Sequence, residues 1–315
     1  MDVRQNGGQR KEMPVRVITL FTDPTPNGYI NLRYVTHMFG IAQNYTDLSD
    51  DEFKEFVKQL MFVGKKLVAT WNHLNKYIQL ETSLIEVEEK NQPIETLDFQ
   101  HMSYSQDLFL ELDEFLVQLK SALDYLAKLP RTIIGKKNWP DLRTFGDKGA
   151  AVVKALKNNV PKKWERQANM IIEIVFEKHR PWLEMAIAAR DKINHFKDGG
   201  LDYEGFLVAK TTVNGEEKVI VPMWTDSLSV REYMQNTWHN LISLVEQFTI
   251  GFLCMRFKPD FGFVYIPKPH DSVASPIAVV PDDQVENVMN LMQALQVKSK
   301  FVENAGITKL TEDAT

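Results

Sequence analysis

The stretch SDDEFKEFVKQLMFVGKKLVATWNHLNKYI, residues 49–78, decides the fold class. Ser49-x-x-Glu52 is a capping box, in which the serine oxygen and the glutamate carboxylate satisfy free N–H groups of a first helical turn. Behind it Phe53, Phe56, Val57, Leu60, Val63, Gly64, Leu67, Trp71, Leu74 and Ile78 recur at steps of three and four. That is one apolar stripe on a helix running to about Glu88, with Pro93 beyond its end.

Comparable patterns follow. Leu108, Leu112, Phe115, Leu116, Leu119, Leu123 and Leu126 form the stripe of a helix from about Ser105 to Leu129, stopped by Pro130. A loop region with Gly135, Pro140, Gly146 and Gly149 leads to a short helix at 148–158. Pro161 opens a third long helix as a first-turn proline, with Ile171, Ile172, Val175 and Phe176 as its core. Pro181 either kinks it or starts a new helix, and a kink or break at His179–Arg180 is favoured. The pattern resumes to His195 or Phe196 and ends at Gly199-Gly200. A fourth long helix spans about Ser227 to Met255, carrying Tyr233, Met234, Trp238, Leu241, Ile242, Leu244, Val245, Phe248 and Phe252. The prediction is a mainly α fold, a bundle of four to five long helices packed as antiparallel neighbours.

Little β structure is expected. Asn214-Gly215 between GFLVAKTTV and EKVIVPMW is a two-residue turn signal and predicts a hairpin at about 205–224. VRVITLF (15–21) and FGFVYIP (261–267) read as short flanking strands. GYINLRYVTHMFGIA (28–42) fits a strand or a short helix. Asp283-x-x-Glu286 resembles a capping box for a helix to about Gln296. The organisation expected is an N-terminal extension over 1–45, a main helical domain over 46–256, and a partly disordered C-terminal extension over 257–315.

The net charge of −5 argues against a general nucleic-acid binder. It hides a basic segment, however. Residues 128–166 hold eleven Lys and Arg against three acids, a local charge of +8. Such a run is either a solvated face or a patch for a phosphate backbone, with Lys136, Lys137, Arg143, Lys148, Lys162 and Lys163 as candidate RNA-binding cations. The one cysteine, Cys254, lies in the apolar run IGFLCMRF and reads as a small core hydrophobe; no disulfide or cysteine-based zinc site is expected. The polar start MDVRQNGGQRKEM reads as no secretion leader, and no apolar run reaches the ~20 residues of a bilayer span. A cytoplasmic protein that does not enter a membrane is the expectation.

Motifs for other chemistries are missing or weak. There is no P-loop, no G-x-G-x-x-G and no Glu-x-x-His pair for a di-iron bundle, so no cofactor and no metal is expected. Gly146-Asp147-Lys148-Gly149 matches the GxxG loop of KH domains without their βααβ surroundings. His73, His101, His179 and His239 read as structural histidines. Trp71, Trp182, Trp224 and Trp238 read as core or interface aromatics.

The end of the third helix, EMAIAARDKINHFKDGG (184–200), is different. On a wheel of about 100° per residue, Trp182, Met185, Ala186, Ala189 and Ile193 form the expected core stripe. Arg190, Asp191, Asn194 and His195 share the opposite arc, together with Leu183 and Ile187. Apolar residues beside clustered polar ones suit a partner surface or a half-buried site. The plain alternative is a solvated helix end, where Arg and His are favoured by the helix dipole.

Arg190-Asp191-x-x-Asn194-His195 resembles the R-x(4–6)-H motif of the HEPN family of small helical proteins, many of them ribonucleases. The leucine-rich stretch LDEFLVQLKSALDYLAKL (112–129) is similar to a core helix of that family. The resemblance covers roughly residues 50–255. It implies a metal-independent endoribonuclease, toxin or defence related, with Arg190, His195, Asp191 and Asn194 catalytic and Asp124 facing the site. It also implies RNA as substrate, a homodimer in which two motifs share one cleft, and a protein antitoxin or regulator. Leu183 and Ile187 would form the dimer seam. A single histidine near neutral pKa can act as base or acid, and an arginine fork can hold two phosphate oxygens. The alternative within the same fold is a non-catalytic module that binds RNA or protein.

Overall fold

The computed structural model describes residues 18–93, 99–146, 149–194, 206–213, 215–266 and 272–290. The chain is mainly helical, with small antiparallel strand pairs. A π-helical segment, Ile30–Thr36, runs into α1, His37–Tyr45. Then come α2, Asp50–Glu88, and α3, Phe99–Lys128. Next are α4, Pro130–Ile134, and α5, Ala150–Asn159. The third long helical stretch is broken into α6, Glu165–Ile172, a π-helical segment, Glu173–Lys178, and α7, Arg180–Asn194. β1 (Ala209–Val213) pairs with β2 (Glu216–Ile220) and β3 (Met223–Thr225) with β4 (Leu228–Ser229) ahead of α8, Val230–Leu253. β5, Phe261–Tyr265, pairs with β6, Ile277–Pro281, and a 3-10 turn, Asp282–Gln284, follows.

Each long helix starts or stops where its chemistry changes. At the head of α2, Glu52 N–H donates to Ser49 Oγ at 3.4 Å and Ser49 N–H donates to Glu52 Oε2 at 2.9 Å. Asp50, Asp51 and Glu52 set three carboxylates against the positive helix end. The same reciprocal cap, Ser229 with Glu232, starts α8. Pro130 stops α3 and also opens α4, as a proline without an N–H can. The break expected near Pro181 falls at His179, between the π-helical segment and α7. All seven stripe residues of α3 named from the sequence are buried to within 1%.

α8 is the central element. From Leu244 to Leu253 all its residues are buried. α2 and α3 pack along each other, and both touch α8. α6 crosses α8 at Gly251, where a Cβ would come within 2.7 Å of the Ile171 side chain.

Part of the expected N-terminal extension, residues 29–42, packs into the core. Tyr29, Ile30, Tyr34, Val35, Met38, Phe39, Ile41 and Ala42 belong to the same buried cluster as α2, α3 and α8. The segment crosses α2 at Gly64, where a Cβ would stand 2.8 Å from Val35 Cγ2 and 2.9 Å from Phe21 Cζ. Arg33, 3% exposed, reaches α8 and donates to Glu246 through Nε (2.7 Å to Oε1) and Nη2 (2.9 Å to Oε2). Beside it the Tyr34 and Thr249 hydroxyls share a hydrogen bond of 3.0 Å. Burying two charges is costly, and a bidentate pair offsets that cost by satisfying both groups. The boundary expected at residue 46 therefore does not divide the core. Ile277 of β6 joins the same cluster from the C-terminal side.

Two smaller expectations also change, and one open reading is decided. Ile18–Phe21, the described part of VRVITLF, forms no strand. For residues 28–42, which fitted strand or helix, the helix is found, with Ile30–Thr36 in π form and α-helix from His37 on. Asp283 makes no capping hydrogen bond; the 3-10 turn at Asp282–Gln284 leads into helix at 285–290.

Candidate functional site at the end of helix seven

The core face of α7 keeps Ala186, Ala189 and Ile193 of the stripe its wheel suggests, and Leu183 and Ile187 widen it. Leu183 (0% exposed), Ala186 (0%) and Ile187 (4%) are buried, whereas Met185 is 45% exposed. The buried stripe extends into the polar arc, so Arg190 falls at its middle. The reason is that α3 packs on that side of α7. Leu183 and Ile187 are consequently core residues of this chain. They are not available as a dimer seam, because their contacts are already made.

Arg190 emerges where this buried face opens into a cleft of about 310 Å³. The walls are Ile187, Arg190 and Asp191 of α7, Lys120 and Asp124 of α3, and Thr144 and Gly146 of the loop before α5. Arg190 Nη1 donates to Asp191 Oδ1 at 3.1 Å, with 30% and 39% of the two side chains exposed. The guanidinium also acts on Asp113 of α3, favouring its charged form. Burial outweighs this and raises the Asp113 carboxyl above its usual range, with Glu114 adding to the rise. Asp113 Oδ1 is buried without a hydrogen-bond partner among the described residues.

Asp124 organises the opposite wall. Its Oδ1 accepts from Lys120 Nζ at 2.6 Å and from the Phe145 backbone N–H at 2.8 Å. The loop is held close by this bond and by the buried Phe145 ring. Gly146 and Gly149 have φ of +84° and +76°, and Gly149 forms the left-handed N-cap of α5. These glycines shape the turn into α5; Asp147 and Lys148 between them lie outside the described residues. Lys120 was not legible as a site residue, although it stands one helical turn before Asp124 on α3.

Of the motif itself, Arg190 and Asp191 stand together at the cleft. Asn194 ends α7, and its side chain and His195 lie outside the described residues. Of the candidate RNA-binding cations, Lys148 lies outside the described residues and the other five do not line the cleft. Lys136 and Lys137 are exposed on a separate groove of about 780 Å³, shared with Lys128 and Arg131 and with Asp51, Glu52, Glu55 and Asp141. Its four cations face four carboxylates, so this part of the basic segment is balanced within the groove. Arg143 is exposed on the loop next to Thr144. Lys162 and Lys163 are exposed in a 3-10 turn ahead of α6, with Lys163 Nζ 4.2 Å from the Trp164 ring centre.

His179 takes a fixed form. Trp182 Nε1 donates to its Nδ1 at 2.9 Å, so the ring proton sits on Nε2 and points to Gln247 Oε1 at 3.1 Å. Burial lowers its pKa to about 4. Burial pushes the Cys254 thiol up to about 12, and its Sγ donates to the Gly251 carbonyl at 3.0 Å. Among the described residues no group of three or more His, Cys, Asp and Glu could hold a metal ion, and no helix is long and apolar enough to cross a membrane. Comparison of the chain with protein-family models, with curated proteins and with solved structures finds no match.

Proposed function

We propose that the chain is a HEPN-type protein, its long helices forming a four-to-five-helix bundle, and that it is a metal-independent endoribonuclease working at the cleft of Arg190. The observation that supports this reading is the meeting of Arg190 and Asp191 with Asp124 and Lys120 in one open cleft. In the proposed reaction a 2′-oxygen attacks phosphorus and loses its proton to a base, while the P–O5′ bond breaks and O5′ takes a proton. The products are a 2′,3′-cyclic phosphate and a 5′-hydroxyl. Arg190, with Lys120, stabilises the charge on the crowded phosphate. Asp191 steadies the guanidinium until the phosphate replaces it, a cheap exchange because a half-exposed ion pair is worth about 1 kcal/mol or less. His195 performs one proton transfer. The second requires another group, and a homodimer bringing a second His195 is part of the proposal, through a surface other than Leu183 and Ile187. A cytoplasmic setting and a protein antitoxin or regulator belong to the same proposal.

The test is cleavage of a mixed RNA pool in EDTA by wild type, Arg190→Ala and His195→Ala, each with a melting curve. Cleavage by wild type, lost in both folded variants, is expected.

A second reading, a non-catalytic module that binds RNA or protein, is favoured by the Arg190–Asp191 ion pair and by the balance of two cations and two carboxylates lining the cleft. Failure of the wild type to cleave in that assay, with RNA binding that persists, decides for it.

A further inference from the structure

The apolar stripe of α2 does not pack solidly along its whole length. Trp71, Leu74, Asn75 and Ile78 follow the steps i, i+3, i+4 and i+7, and Gln235, Trp238 and His239 follow i, i+3 and i+4 on α8. Between these facing stripes lies a half-enclosed cavity of about 360 Å³, closed at one end by Thr25, Pro26 and Tyr29. It shares no residue with the Arg190 cleft.

The composition of the walls defines what can occupy it. Three aromatic residues stand in its wall, Trp71, Trp238 and Tyr29, the last with the Arg33 guanidinium 5.2 Å from its ring centre. Asn75 and Gln235 offer amide edges beside His239, and no Asp, Glu, Lys or Arg lines the cavity. A ligand with two apolar faces and a polar rim matches this set, because stacking covers the faces and the amides satisfy the rim. A fully hydroxylated sugar would leave most of its polar groups against carbon. Beyond Trp71 and Asn75, which line both spaces, a second hollow continues along α2 past Asn72, His73 and Lys76. It offers room and polar partners for a hydrophilic substituent on the ring.

The rim is held in place before any ligand arrives. Asp23 Oδ1 accepts from the Thr25 N–H at 3.1 Å and Asp23 Oδ2 from the Asn31 N–H at 2.7 Å. Asn27 adopts the left-handed conformation (φ 58°) that asparagine tolerates better than most residues. The π-helical segment Ile30–Thr36, of a type frequent at functional sites, begins directly after Tyr29. A preset rim lowers the ordering cost of binding.

We infer that this cavity is a binding site for an uncharged planar heteroaromatic ring carrying a polar substituent, with a nucleoside as its simplest representative. The inference is independent of the ribonuclease reading and would stand if that reading failed.

The experiment is titration of the full chain with adenosine, guanosine, cytidine and uridine, followed by calorimetry and tryptophan fluorescence, with glucose as the comparison. At least one nucleoside is expected to bind saturably at one site. Asn75→Leu and Gln235→Leu, checked by melting, are each expected to weaken it about tenfold, as when a buried amide partner is lost. Arg190→Ala is expected to leave it unchanged. Absence of saturable binding by all four nucleosides overturns the inference. So does equal binding of glucose, or binding that both pocket substitutions leave unchanged.

Discussion

Gly64 occupies the middle of a 39-residue helix, where glycine normally costs about 1 kcal/mol relative to alanine. It is tolerated because the Val35 and Phe21 side chains rest against its bare backbone. Gly64→Ala should therefore destabilise the protein by about 1–3 kcal/mol, overpacking outweighing the gain in helix propensity. Denaturant unfolding of the variant measures this, and a more stable Gly64→Ala would refute the close crossing. From the sequence this glycine could be placed on the stripe, but not its partner, because the partner lies outside the helix. Arg190 shows the same limit. Its type and position were legible, whereas its place at the middle of a buried face depends on which side α3 approaches.

Two junctions between elements respond to acid in separate windows. Arg256, just beyond α8, donates through Nη1 and Nη2 to the two Glu52 oxygens at 3.2 Å each, through Nε to Asp47 Oδ1 at 2.6 Å, and through Nη1 to the Ile133 carbonyl at 2.7 Å. These bonds, chiefly with Arg256 and then with Ser49, hold the Glu52 carboxyl down at about 2. A lowered carboxyl stabilises the fold above its unfolded value near 4.5 and loses that contribution as pH falls toward 2. Glu52→Gln keeps the capping geometry, so its melting temperature should lie below wild type at neutral pH and converge with it toward pH ~2. The second junction is His179, between the π-helical segment and α7. A histidine kept neutral favours the fold above its unfolded value of 6.5 and loses that contribution as pH falls to about 4. Stability should rise with pH across that interval, and His179→Gln should flatten the slope even if it lowers stability throughout. Melting curves at half-unit steps of pH check both. At this scale the sequence was most informative where a cap or a proline marks a boundary, as at Ser49, Pro130 and Pro181. It was least so for Ile30–Thr36, whose mixed apolar pattern suits strand and helix alike, and for β6, a short β-branched run beside prolines.

Over the whole molecule, the long helices could be read from periodicity, and the error lay in treating residues 29–42 as part of an appendage. The stripes of α2 and α8 each show an apolar face, but nothing in their spacing says that part of it is covered by Tyr34 and Val35. The Arg33–Glu246 pair is the polar signature of that arrangement. Arg33→Met should cost about 3–5 kcal/mol, since it strands a buried carboxylate, whereas Arg33→Met with Glu246→Leu should recover most of the loss. A double-mutant cycle in denaturant measures the coupling. If the double variant is no better than the single, the pair is not the reason for the cost.

The same pair constrains how the protein is made. Arg33 and Glu246 are 213 residues apart, so the first leaves the ribosome well before the second. At about 5–20 residues per second the interval is roughly 10–40 s. Throughout it Tyr34, Val35 and Met38 have no α8 to pack on, and α2 and α3 must wait with one apolar side uncovered. A nascent chain halted before residue 246 should thus bind holding chaperones and resist release, until the last long helix emerges and the first buried segment can close over it.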